Sequence, residues 1–236
     1  MTDPTLSHPC STRVHVVIHH QSADLTLEQA QAVLALGADG VFLISHEGQD
    51  AALPPLAQQL VQRYSHARTL RGQRPVWGLN LLQTPPLAAL ELAGQAGADA
   101  LWVSAPGVTS AGVTPEGHNL AQSMRRWPQV SVWGCVAFKY QPDEPDPPAA
   151  AAAALALGMH PTTSGAGTAQ APDVTKIAAM SQAVQGRLAI ASGMTVENVE
   201  RYAPWVSDIL VSTGVSLDAH HVDPARLTAF LAAVAR

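Results

Sequence analysis

The sequence predicts one domain, a closed, eight-stranded parallel (βα)8 barrel. Three observations predict it. Short β-rich runs alternate with helical spacing along the chain, two helix-to-strand turns are nearly the same, and strand alternation gathers polar side chains at one end of several strands. The 236 residues match the roughly 250 typical of this fold. Strands that alternate with helices read as a parallel sheet, and eight such units in one chain of this length favour closure over an open sheet.

The candidate strands are Arg13–His19, Gly40–Ser45, Val76–Leu81, Ala100–Ser104, Val130–Lys139, His160–Thr163, Leu188–Ser192 and Ile209–Ser212. The sixth is the weakest, because Pro161 interrupts it and offers no N–H to a ladder. Between the strands lie helical stretches such as "LTLEQAQAVLALG" and "PLAALELAGQAG". The two similar turns, "LGADGVFLIS" and "AGADALWVS", each place a glycine (Gly37, Gly97) where a helix stops in the left-handed conformation. They are structural punctuation at the N-terminal face. Residues 1–11 are polar and proline-broken, expected to be disordered or extended outside a barrel domain of residues 12–236.

Composition excludes several classes. Apolar residues make up 47% and charged residues 13% of the chain, enough for a large core and too few charges for a disordered one. The longest apolar run, Ala149 to Leu157, falls well short of the ~20 residues of a membrane helix, and no apolar signal region opens the chain. A cytoplasmic protein without membrane insertion is expected. Cys10 and Cys135 fit neither a disulfide framework nor a zinc spacing. Net charge is −5, and the densest basic patch, Arg68, Arg71 and Arg74, reads as the positive last turn of a helix. Nothing resembles a nucleic-acid stripe. No cofactor is expected, and a homo-oligomer is compatible with the sequence.

Strand parity locates a mouth. Val14, Val16 and Ile18 would face the helices, which turns His15, Val17 and His19 to the axis. In the third strand Trp77, Leu79 and Leu81 pack outward, leaving Val76, Gly78 and Asn80 inside. In the fifth, Val132, Gly134, Val136 and Phe138 go outward, so Trp133, Cys135, Ala137 and Lys139 line the interior. His19, Asn80 and Lys139 then converge on the C-terminal mouth, where barrel enzymes keep their active sites.

The seventh strand runs straight into Ser192-Gly193 and then a segment that reads as a helix capped by Thr195; the eighth ends in Ser212-Thr213-Gly214. The turns after strands seven and eight frequently bind phosphate in this fold. Small residues let an anion approach backbone N–H groups, and a helix start adds partial positive charge. Ser192, Gly193, Met194, Ser212, Thr213 and Gly214 are the expected phosphate ligands. Ser164 and Gly165, in "TTSGAGT" after strand six, add donors on the same rim. Plain capping and tight turns would explain one such turn; two at these positions favour an anion site. Glu197 and Asn198 only stabilise the start of that helix.

"SGMTVENVERY", "SDILVSTGVS" and "HVDPARLTAFL" together resemble the C-terminal part of the BtpA family, TIM-barrel proteins named for a photosystem I biogenesis factor. "VVIH" ending at His19 is similar to the family's first strand, and Asn80 and Lys139 fall where the family carries Asn and Lys. The chain departs from the pattern elsewhere. Ile44, Ser45 and His46 stand where the family has Glu-Asn, Cys135, Ala137 and Tyr140 replace Asp, His and His, and Ser216 replaces a Lys. The resemblance implies a barrel that keeps the phosphate rim and loses much of the polar interior.

Lys139 is the sharpest chemical signal. The chain has a second lysine, Lys176, expected to be solvated on the helix after strand six. A lysine at an inward strand end is suited to act as a base, a Schiff-base nucleophile or a cation for a substrate anion. His19 is its candidate acid–base partner; His15 below it reads as a hydrogen-bonded core residue, and His20 should point at the helices. His46 and Glu47 follow strand two, but no regular ligand spacing supports a metal site with His19. The acidic loop "YQPDEPDPP" after Lys139 reads as a lid or as a plain connection. Two functions follow. One is an enzyme, with Lys139, His19 and Asn80 as catalytic residues, that isomerises, cleaves or transfers groups on a sugar phosphate or nucleotide fragment. The other is a non-catalytic barrel that acts through protein contacts in complex biogenesis, the role the resemblance implies.

Overall fold

The structure, a computed structural model, describes residues 12–235, so the N-terminal extension and its Cys10 lie outside the described residues. Eight parallel strands close into a barrel: β1 Arg13–His19, β2 Gly40–Ile44, β3 Val76–Asn80, β4 Ala100–Val103, β5 Ser131–Cys135, β6 His160–Thr163, β7 Ala189–Ala191 and β8 Asp208–Val211. Each pairs with the next, and β8 returns to β1 in the register Arg13↔Asp208 to Val16↔Val211. Around them lie α1 Ala23–Ala35, α2 Leu53–Arg63, α3 Pro86–Gln95, α4 Pro115–Met124, α5 Pro147–Ala156, α6 Val174–Ala183 and α7 Pro224–Val234. Helix starts follow local chemistry. Ser22, Thr114, Asp146, Asp173 and Asp223 each accept an N–H from the first turn of the helix they precede. Pro161 sits inside β6 after all, paired with Gly134.

Alternation sorts the core into two parts. Val14, Val16, Ile18, Trp77 and Leu79 pack under the helices. Val17, Phe42, Trp102, Trp133 and Leu210 fill the barrel itself. Phe42 and Trp133 lie 4.9 Å apart between ring centres, and Gly78 leaves room for the Phe42 ring. The lower interior is therefore solid, and chemistry is confined to the mouth.

The N-terminal face is stitched by aspartates. Asp39 accepts the Val14 N–H at 2.9 Å and pairs with Arg71 at 3.1 Å. Asp99 accepts the Trp77 N–H at 3.0 Å and pairs with Arg74. So the two "GAD" turns share a device: the aspartate caps a neighbouring strand and holds an arginine. The basic patch is corrected accordingly. α2 ends at Arg63, and Arg71 and Arg74 lie in the loop before β3 as partners of these carboxylates, not in a last helical turn.

Two further expectations change. β5 stops at Cys135 instead of running to Lys139. Ala137 adopts φ +48°, which breaks the alternation: Ala137 packs with the outer core and Phe138 turns inward, 5.9 Å from Trp102. The helix expected after β7 is also absent. Thr195 leads into two short 3-10 turns, Val199–Arg201 and Ala203–Trp205. Asn198 closes the turn instead, accepting the Thr195 N–H at 2.9 Å and donating to the Gly193 carbonyl at 2.8 Å.

Candidate functional site

The rim after β5, β6 and β7 is a polar network centred on Lys139. Its Nζ donates to Thr168 Oγ1 at 3.1 Å and lies 3.5 Å from Ser192 Oγ, and its backbone N–H donates to Ser164 Oγ at 2.8 Å. The Tyr140 hydroxyl meets Thr168 Oγ1 at 3.0 Å. Lys139 thus reaches the mouth through a strained loop, not along a strand, and stands beside the turn after β7. Neither of its hydrogen-bonded partners is a carboxylate. Left-handed backbone is concentrated here, at Ala137, Tyr140, Ala169 and Ser192. Such conformations persist only where the surroundings over-determine them.

One determinant is Lys176, which is not solvated. It reaches from the first turn of α6 to donate to the Ala137 carbonyl at 2.6 Å and the Ser164 carbonyl at 2.9 Å. Burial lowers the pKa of its ammonium, and the start of a helix is an unfavourable place for a cation. The two carbonyls at the ends of β5 and β6 hold it there. Helical position alone could not reveal this contact.

On the opposite flank His19 ends β1. Its Nε2 lies 3.4 Å from Ser212 Oγ, its ring 4.9 Å from that of His46, and its carbonyl 3.2 Å from His220 Nδ1. Burial first, then the nearby His46, His220 and Lys139, lower its pKa to about 4. His19 is therefore a neutral imidazole at pH 7, not the near-neutral acid–base group that its ordinary value suggests. His220, on the loop after β8, was not legible as a neighbour. His20 does point at the helices, bonded to Thr26 at 2.8 Å. Asn80 closes β3 at 2% exposure, turned to the axis by alternation. Its amide makes no hydrogen bond among the described residues, so the structure does not join it to Lys139 or His19 directly.

The phosphate candidates separate into two sets. The backbone N–H groups of Gly193, Met194, Thr213 and Gly214 make no hydrogen bond among the described residues, and Ser192 and Gly193 both have φ +74°. Yet the glycines also serve packing. A Cβ on Gly193 would collide with the Gln170–Ala171 backbone, and one on Gly214 with the Met194 carbonyl. Ser164 is fully buried and its hydroxyl donates to the Gly165 carbonyl at 2.9 Å. Gly165 packs against Gln170. These two build the rim rather than face it. Since short 3-10 turns, not α-helices, come first after β7 and β8, no helix start lies at these turns; positive charge comes from Lys139.

The loop from Tyr140 is pinned: Glu144 accepts the Ser110 N–H at 3.1 Å and Gln141 donates to the Ser104 carbonyl at 2.8 Å. Cys135 lies buried beneath the mouth. Burial pushes its thiol up to about 12, against the Trp102 N–H and the Lys139 charge, so it is inert as a nucleophile. Among the described residues no group of three or more His, Cys, Asp or Glu is arranged to hold a metal ion, and no helix is long and apolar enough to cross a membrane. Two surface hollows of about 480 and 820 Å³ lie on the helical shell and contain none of these rim residues.

Fold and rim together define a (βα)8 barrel with a cationic, hydroxyl-lined mouth. No protein-family model and no curated protein matches the sequence. Solved structures match the fold. Phosphoribosyl anthranilate isomerase from Thermus thermophilus aligns with TM-score 0.66 at 18% identity, over 95% of this chain and 98% of that one. The native KDPGal structure aligns with TM-score 0.65 at 14% identity, over 93% of each chain. KGPDC from Streptococcus mutans aligns with TM-score 0.66 at 11% identity, over 96% and 98%. At these identities the likeness is one of fold.

Proposed function

We propose that the barrel binds a small phosphorylated metabolite, a sugar phosphate or nucleotide fragment, with its phosphate on the turns after β7 and β8, and acts on it as an isomerase, lyase or transferase. The observation that carries this reading is the set of partnerless N–H groups at Gly193, Met194, Thr213 and Gly214 beside the Lys139 ammonium, 3.5 Å from Ser192 Oγ. Backbone donors and a fixed cation are what a phosphate requires. A phosphoribosyl anthranilate isomerase of similar fold (TM-score 0.61, 16% identity) has been solved with a reduced deoxyribulose 5-phosphate compound, which adds support by analogy. In the reaction Lys139 offsets phosphate or developing oxyanion charge. His19, as a neutral imidazole, polarises a carbonyl or passes a proton, and Asn80 orients the reacting end.

The BtpA resemblance supports a second reading, a barrel that binds without catalysis. One observation favours it: position 135, where that family has an acid, carries an inert buried thiol. One experiment separates the readings. Thr213→Asp places a carboxylate where the anion would sit, at an exposed position that needs no repacking. It is cleaner than Gly193→Asp, whose Cβ collides with backbone. Calorimetry with inorganic phosphate and glycerol 3-phosphate should show binding to the wild type and a loss of about tenfold or more in Thr213→Asp, the scale of one hydrogen bond to a charged group. Unchanged affinity places the site elsewhere. Lys139→Met should then remove turnover by about a hundredfold or more in a screen of phosphorylated metabolites. Turnover that survives it eliminates the catalytic role of Lys139.

A further inference from the structure

The β1–β3 side of the mouth is unlike the phosphate side. His19, Ile44 and Asn80 stand in one layer, through the registers His19↔Ile44 and Ile44↔Asn80. Neighbouring strands are about 4.8 Å apart, so His19 and Asn80 flank a gap of about 10 Å. His46, from the loop after β2, brings its ring to 4.9 Å from that of His19. The charged and titratable groups that face His19 are His46, His220 from the loop after β8, and Lys139 from the loop after β5; none is acidic. Glu47, on the same loop as His46, acts on His20 instead. This wall also contains Asn80, a residue 2% exposed whose amide makes no hydrogen bond among the described residues and keeps its polar atoms open to the mouth. An amide at the mouth with its hydrogen bonds unmade offers a ligand both a donor and an acceptor.

We propose that the ligand carries a second anionic group, a carboxylate, read by Asn80, His19 and His46; this deepens the phosphate reading above and rests on it. A neutral hydroxyl would engage the amide but would leave the ring N–H groups of His19 and His46 without an acceptor. A carboxylate does both, accepting from the Asn80 amide and from ring N–H groups, and its charge is favoured where the facing groups include an ammonium and no acid. The two anionic groups are close. Ser212 precedes Thr213 of the phosphate turn, and its hydroxyl is 3.4 Å from His19 Nε2. The substrate class is therefore a short phosphorylated hydroxy or oxo acid. Carboxylate binding should also draw a proton onto His19.

Two matched pairs test this by calorimetry at pH 7: 3-phosphoglycerate against glycerol 3-phosphate, and 6-phosphogluconate against glucitol 6-phosphate. In at least one pair the acid should bind about tenfold tighter, the scale of one hydrogen bond to a charged group. Asn80→Ala and His46→Ala should erase that preference by weakening the acid about tenfold more than the alcohol. Asn80→Asp, similar in volume, should invert it, and circular dichroism verifies the fold of each variant. Titrations of the acid at pH 5.5 in two buffers of different ionisation enthalpy should show proton uptake that His19→Gln removes. Equal affinities within both pairs, or an Asn80→Ala loss shared equally by acid and alcohol, overturn the inference and leave the phosphate site standing. Failure of all four compounds to bind overturns both.

Discussion

Asp208, the first residue of β8, is fully buried and collects three partners: Arg13 Nε at 2.8 Å, His15 Nε2 at 2.8 Å and His160 Nε2 at 3.1 Å. The His160 contact is within ion-pair reach but poorly aligned as a hydrogen bond, since both of its atoms lack a well-directed partner. His15 is therefore the better-directed of the two histidine partners. His15 Nδ1 is buried with no partner, which places the donated proton on Nε2. Burial alone would raise the Asp208 pKa, but the close contacts with His15 and His160 outweigh it and hold the carboxyl well below its ordinary range.

Replacing Asp208 by Ala strands one buried imidazole, one partly buried imidazole and one arginine. Breaking a buried pair from one side costs about 3–5 kcal/mol. For a chain of this size that is a fall in Tm of roughly 6–20 °C. Asp208→Asn keeps the shape and loses the charge, so about 1.5–3 kcal/mol is expected. Arg13→Ala, at a side chain 37% exposed, should cost about 1 kcal/mol or less. Urea unfolding at pH 7 measures all three. The sign with pH is fixed: a depressed carboxyl pKa contributes stability above its unfolded value, near 3.8, and that contribution is lost as pH falls through the lower folded value. The gap between wild type and Asp208→Asn should therefore hold at neutral pH and shrink below about pH 4. An Asp208→Ala loss below 1 kcal/mol, or a gap that widens in acid, would refute the argument.

Two more outcomes can be checked directly. His19 has a folded pKa of about 4 against 6.5 unfolded, so the unfolded chain takes the proton first. Stability should be complete above pH 6.5 and decline by about 1–2 kcal/mol toward pH 4, after allowance for solvent screening of a partly buried group, and His19→Gln should flatten that slope in chemical denaturation. Lys176→Met frees the Ala137 and Ser164 carbonyls and should cost about 1–3 kcal/mol. It should also raise amide exchange at Ala137–Lys139, while exchange that rises only at the start of α6 would dismiss its role in holding the Lys139 loop.

The barrel was legible because its two periodicities are local. Alternation in "RVHVVIH" and "VWGLN" needs only neighbouring residues, and the structure divides those side chains between shell and interior as the pattern requires. Alternation fails where the backbone leaves the strand. Nothing in "CVAFKY" announces that Ala137 takes φ +48°, and that one residue sends Phe138 inward and Lys139 across to Ser192. The helix after β7 was misread for a similar reason. "TVENV" has the composition of a helix start, but Asn198 spends both ends of its amide on closing the turn.

What local pattern could not show at all are contacts made across the chain. His15 and Asp208 are 193 positions apart, and so are His19 and Ser212. A closed barrel makes such pairs neighbours because its last strand returns beside its first. Composition therefore identified which residues were unusual, whereas closure decided which of them meet. Lys139 and Lys176 illustrate the difference. The sequence presents one as functional and the other as solvent-facing, yet both lysines belong to the rim after β5, β6 and β7. One is held by hydroxyls at the rim and the other by carbonyls beneath it. The first remains available to an anion at the rim, whereas the second spends its hydrogen bonds on the carbonyls of the loop that presents it.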